Sequence, residues 1–146
     1  MTYDPSLALQ TLIRSRMIGT PAVTALVAPD AITDRSTRPT AFPCIVLGEG
    51  QTLFADNLDR YHEQAFLSLH VWTKEPGLEQ VKRISAAIRD ALRESPWRVQ
   101  GHIAHGVTVS SARYLHDPSG QHGHGVIAID AVLQVAATDE FGEISP

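Results

Sequence analysis

A chain of 146 residues with 43% hydrophobic and 19% charged content suits one domain that can bury its own core without a metal or disulfide. A net charge of −4, with no basic stretch beyond Lys82-Arg83, argues against a protein whose affinity comes from gripping phosphates. The apolar runs Phe42–Leu47 and Val126–Ile129 fall far short of the roughly 20 residues of a membrane-spanning helix, and no signal-peptide pattern opens the sequence, so folding in the cytoplasm is expected.

Asp4-Pro5-Ser6 supplies a capping group and a first-turn proline. Leu7, Ala8, Leu12, Ile13 and Met17 follow at helical spacing, with Gly19 as the stop. Thr20-Pro21 repeats the start signal, so Ala22–Ala28 forms one or two turns before Pro29. From Ala31 to Ala41 the chain is polar and reads as an extended connector. Pro43–Gly48 is the first strand. Gly48-Glu49-Gly50-Gln51 breaks it, and Gln51–Asp59, with the turn-prone pair Asp56-Asn57, forms a long hairpin tip.

Between His62 and Thr73, residues Ala65, Leu67, Leu69 and Val71 share one face and Phe66, Ser68, His70 and Trp72 the other, the period of a strand with one core side. Pro76, near a first turn, opens a helix in which Leu78, Val81, Ile84, Ile88, Ala91 and Leu92 form one apolar stripe. Ser95-Pro96 ends it. Trp97–Gly101 links to a strand around Gly106–Leu115, where Val107, Val109 and Ser111 alternate with Thr108, Ser110 and Ala112. His116–Gly125 reads as a mobile turn. In the last strand Ile127, Ile129, Ala131, Leu133, Val135 and Ala137 face away from Ala128, Asp130 and Gln134, and a polar tail follows from Thr138. The order α-α-β-β-α-β-β predicts a single α+β domain over residues 1–146, an antiparallel sheet of about four strands packed by an amphipathic helix and an N-terminal helix.

His102 and His105, or His122 and His124 around Gly123, would serve a metal only if the fold brought the pairs together, because zinc sites want three or four ligands with supporting partners. Asp56, Asp59 and Glu63 sit near the hairpin tip, among solvent, and not in the sheltered pocket that acid–base catalysis requires. Ser110, Ser111 and Ser119 lack a nucleophile-elbow context, and Gly48-Glu49-Gly50 is not followed by the helix of a phosphate cradle. No catalytic residue, metal or cofactor is expected. Cys44, in an apolar run with no neighbouring cation, reads as a core residue. His70 reads as a hydrogen-bonded histidine beside Trp72 before it reads as a pH-sensitive contact. Phe66 and Trp72 mark an association surface if helices cover only the opposite face.

Together these stretches resemble the tail-completion or tail-terminator family of long-tailed phages and gene-transfer particles. The likeness runs from about Leu7 to Val135. It includes the N-terminal helix followed by Ala25-Leu26-Val27, Phe42-Pro43 opening a strand, a strand ending at Val71-Trp72, the helix closing on Ala87-Ile88-Arg89-Asp90-Ala91-Leu92, and a long apolar last strand. His70 departs from the pattern, since acidic residues are usual just before that Val-Trp pair.

The resemblance implies a non-enzymatic virion protein that folds in the host cytoplasm and assembles as a ring, usually a hexamer, on the head-proximal end of a finished tail tube. Such a ring stops tube polymerisation and offers a surface to the head side. Its partners are further copies of itself, the major tail tube protein and a head-side connector or stopper; DNA passes through the lumen without specific binding, and no membrane is involved. On that footing Phe66, Trp72 and Tyr114 are candidates for the subunit contact. Gly48, Gly50, Asp56, Asn57, His122 and His124 are candidates for contact with the tube or connector through two tips, and Glu49, Asp56 and Asp59 for facing the lumen. The alternatives are another head-to-tail connector or minor tail protein, or a small metal- or ligand-binding α+β module built on the histidines.

Overall fold

The computed structural model describes residues 4–34, 39, 41–54, 62–93, 97–99 and 102–135. Helix α1 (Pro5–Ile18) begins at an aspartate cap: Oδ1 of Asp4 accepts from the N–H groups of Ser6 at 2.8 Å and Leu7 at 3.2 Å, two of the amides a first turn leaves bare. A single turn, α2 (Pro21–Thr24), and a 3-10 turn over Pro29–Ala31 lead into β1 (Ile32–Thr33). The connector expected to be merely extended therefore contributes to the sheet. Ile32 and Thr33 pair in parallel with Ile45 and Val46, and Ile32 is buried.

β2 (Cys44–Leu53) and β3 (His62–Thr73) form the first hairpin. The glycines expected to break β2 are absorbed: register slips between Leu47 and Gly50, pairing resumes with Gly50 opposite Leu67, and the strand runs on to Leu53. A Cβ at Gly48 would stand 2.6 Å from Cδ2 of His70, so only glycine lets the bulged backbone pass beneath that ring. The expected tip residues Asp56, Asn57 and Asp59 lie outside the described residues.

Helix α3 (Glu79–Ala91) starts later than the proline expected near its first turn, and a side chain ahead of it satisfies its first amides. The carboxylate of Glu75 accepts from the N–H of Gln80 at 3.1 Å and of Val81 at 3.2 Å, and is itself held by the Thr73 hydroxyl at 2.7 Å. Negative charge there also meets the positive end of the helix dipole. The expected stripe of Val81, Ile84, Ile88, Ala91 and Leu92 is buried.

The segment expected as a link after α3 is a strand. β4 (Trp97–Val99) runs antiparallel to the start of β5 (His102–His116), which begins ahead of Gly106. β5 is bulged between His105 and Thr108, where Gly106 has φ +60°, and again between Val109 and Ser111. The second bulge reverses the expected alternation. Val109, Ala112 and Tyr114 pack toward the core, while Ser111 and Arg113, opposite Ala128 and Val126, face away. β6 (Gly123–Val135) begins inside the stretch expected to be a mobile turn, because Gly123 and Gly125 lie against α3. Their added Cβ atoms would stand 2.6 Å from Oγ1 of Thr73 and 2.7 Å from Cγ1 of Val81.

The six strands lie in the order β1-β2-β3-β6-β5-β4, antiparallel except for β1 against β2. The four long strands are those expected from the sequence, and the two additional ones are short edge strands whose few residues carry no periodicity of their own. Helices α1 and α3 pack on one side, where Leu9, Ile13, Met17, Ile84 and Ile88 close over Leu47, Leu69, Ile127 and Ile129. Among the described residues nothing covers the other side. β2 ends at Leu53 and β3 begins at His62 at one end of the sheet; the turn between β5 and β6 stands at the opposite end, level with Thr73.

Candidate functional site

Residues directly opposite one another on neighbouring strands share a face, so the register spells out the open side row by row. At the end near the β5–β6 turn, Cys44, Trp72, His124 and Leu115 cross the four long strands, followed by Val46, His70, Val126 and Arg113. Further along, Gln51, Phe66, Asp130 and Thr108 form another row. Phe66, Trp72, Val126 and Ala128 are half-buried, a mixed apolar and polar surface. A depression of about 440 Å³ opens beside Phe66, edged by Glu49, Gln51, Ser68 and Ala128.

Between this depression and the β5–β6 turn, the open side carries a hydrogen-bonded chain that the sequence did not disclose. Nε2 of His70 lies 2.7 Å from Oε1 of Glu49, and its Nδ1 lies 2.9 Å from Nε2 of His124. With both rings neutral, the carboxylate fixes the His70 proton on Nε2, leaving Nδ1 to accept from Nε2–H of His124. The two imidazoles stack at 5.1 Å, and His124 lies flat on Trp72, 3.8 Å between centroids and 7° between planes. Burial, and next the charge of His70, hold the His124 pKa below the ordinary imidazole value; the hydrogen bond from His70 holds the Glu49 carboxyl below the usual carboxylate range. Desolvation pushes the pKa of the buried Cys44 thiol up, which keeps it protonated on the open side of the sheet.

The depressed His124 pKa has a sign that can be worked out. Near pH 8 the imidazole is neutral in both folded and unfolded chains and contributes nothing to the pH dependence. As pH falls through the ordinary imidazole range the unfolded chain takes a proton that the folded one resists, so stability declines. Between about pH 8 and about pH 5.5, the melting temperature of the wild type is expected to fall more steeply than that of His124→Gln. Parallel curves would count against this environment for His124.

The other expected site residues are distributed as follows. Phe66 and Trp72 do share the open face, but Tyr114 does not join them. The bulge at Ser110 turns Tyr114 to the helix side, where its hydroxyl donates to Oγ of Ser85 at 3.1 Å and Nζ of Lys82 stands 5.5 Å from its ring centroid. Gly48 and Gly50 lie within the β2 ladder and not on a free tip. His124 belongs to β6, while His122 remains in the turn, its ring 4.6 Å from Phe42. That turn is tied by Asp117, which accepts from both the amide and the hydroxyl of Ser119.

The histidine pairs considered as metal ligands are separated. His102 is buried on the helix side, whereas His105 faces outward and bonds Gln134 at 2.9 Å. Among the described residues no group of three His, Cys, Asp or Glu side chains has a geometry that would hold a metal ion. Glu63, expected at the solvated tip, lies within β3, and its Oε2 is buried with no hydrogen-bond partner among the described residues. No helix among them is long and apolar enough to cross a membrane.

Comparison with known proteins adds a family. The family model described as "Tail completion protein gp17" matches residues 11–134. A chain from the virion of a native gene transfer agent particle superposes with a TM-score of 0.75 at 21% identity, covering 91% of this chain and 99% of that one. The gp17 protein of bacteriophage SPP1 superposes with a TM-score of 0.56 at 19% identity, covering 86% and 88%. At such identities these two likenesses establish a shared fold. No curated protein matches.

Proposed function

The chain belongs to the tail completion protein gp17 family, structural proteins of phage and gene-transfer particle tails, and from that premise we propose that it closes the head-proximal end of the tail tube as a ring, six copies in the simplest case. The ring stops tube growth and joins the tube to the head-side connector. Its role is mechanical and involves no catalysis. The observation that carries this reading is the open sheet face. One side of the sheet is sealed by the protein's own helices, and the other presents Phe66, Trp72 and Val126 half-buried, next to the histidine pair.

A ring needs a patch on one copy to meet a different patch on the next. Phe66 and Trp72 form the first of these patches. Tyr114, on the opposite side, belongs to the second, so the three aromatics serve two complementary surfaces. The two connections at opposite ends of the sheet suit a ring whose axis runs along the strands: one end meets the tube and the other, at Asp117–His122, meets the connector. Glu49 and the acidic residues Asp56 and Asp59 face the DNA path without gripping it, and negligible duplex binding at moderate salt is the corresponding expectation.

Electron micrographs of particles made without this protein test the reading. Tails of variable, excessive length and without heads are expected. Tails of normal length already joined to heads would overturn it.

A further inference from the structure

We infer that the groove between α3 and β5 receives the acidic segment Thr138–Glu143 of a neighbouring copy. This rests on the ring reading above and adds how one subunit holds the next. The groove encloses about 360 Å³, with Lys82, Arg89 and Arg93 along its helix wall and Ser110, Ala112 and Tyr114 along its strand wall. Asp90, its one carboxylate, is engaged with Arg93 at 3.2 Å, and Arg89 is exposed with no ion pair among the described residues. A basic trough on a chain of net charge −4 calls for an anionic occupant.

The backbone favours an extended one. β4 pairs only with His102, Ile103 and Ala104, so from Thr108 to His116 the outer edge of β5 carries no strand among the described residues. Its peptide groups are open to a short added segment, and the bulges at Gly106 and Ser110 keep that segment short.

The chain holds a matching stretch. Thr138-Asp139-Glu140-Phe141-Gly142-Glu143 has three carboxylates, no cation, and one aromatic ring to lay along the strand wall. Reach decides whose segment it is. Val135 pairs with His102 and Gly125 with Tyr114, ten residues apart along the regular β6, so Tyr114 lies roughly 33 Å away at ~3.3 Å per residue. Asp139 follows Val135 by four residues, a reach of about 14 Å, and Glu143 by eight, about 28 Å. On their own chain Asp139 and Glu140 therefore stop short of the strand wall and Glu143 reaches at most its near end at Ser110, whereas the carboxylates of an adjoining copy can lie along the whole groove.

Two charge reversals test this: Lys82→Glu with Arg89→Glu, both exposed in the groove, and Asp139→Lys with Glu140→Lys in the segment. With folding checked by circular dichroism, each variant alone is expected to sediment as a monomer under conditions where the wild type forms rings. An equimolar mixture is expected to recover the rings, because every junction can then unite a matched pair. A mixture that stays dissociated while the fourfold variant assembles would mean that the segment serves its own chain, and would overturn the inference. Unimpaired assembly of each of these two variants on its own would overturn it too, with the ring reading intact. If the wild type itself never leaves the monomer, the ring reading falls, and a peptide of residues 136–146 decides the groove. Saturable amide shifts at Ser110–Tyr114, weakened about tenfold or more by Arg89→Glu, would support the groove, and their absence would overturn it.

Discussion

A Trp72→Ala chain is expected to fold and yet to form no rings. Trp72 is half-buried on the side of the sheet that no helix among the described residues covers, and its ring rests on His124 at 3.8 Å. Losing that stacking costs the monomer about 0.5–1.5 kcal/mol, which leaves the helix-covered core untouched. The cost to association is larger. A tryptophan anchoring an interface contributes about 2 kcal/mol or more, and a closed ring repeats the loss at every junction. Sedimentation should show a monomer with near-native circular dichroism, and Phe66→Ala should shift assembly in the same direction. Full rings at the wild-type concentration would remove the open face from the subunit contact.

Leu69→Ala is expected to have the largest effect on the monomer itself. Leu69 is fully buried in β3, directly between Leu47 on β2 and Ile127 on β6, at the middle of the row that α1 and α3 close over. Removing its branched end forfeits the transfer energy and leaves a cavity in a region held from three sides, a loss of about 2–5 kcal/mol in chemical denaturation. On the opposite side of the same strand, Ser68→Ala should change stability by less than about 0.5 kcal/mol. Similar losses from both would contradict the one-sided packing.

What could be read in the sequence was whatever a strand or helix expresses by its own period. Ala65–Leu67–Leu69–Val71 and Ile127–Ile129–Ala131–Leu133 alternate without interruption, and both prove to be central strands with one core side. The stripe on α3 was legible for the same reason. β1 and β4 were not, because two or three residues become a strand only through the edge they meet. The glycines misled in two opposite ways. Gly48 looked like a strand break but is a bulge fitted under His70; Gly123 and Gly125 looked like a turn but are close approaches to Thr73 and α3. That second misreading left His124 on a loose tip instead of beside His70, and so hid the Glu49–His70–His124 chain. The side on which Tyr114 stands is set by a single inserted residue, and nothing in Val109-Ser110-Ser111 announces that the alternation reverses there.

The irregular backbone at Leu47–Gly50 and again at Val109–Ser111 has a consequence for the time before a tail is finished. Both long outer strands are kinked, so a foreign strand laid on either border falls out of step after a few residues. Newly made copies can therefore accumulate without knitting themselves into fibrils, which, on the proposed role, keeps the cap available until its tube is ready.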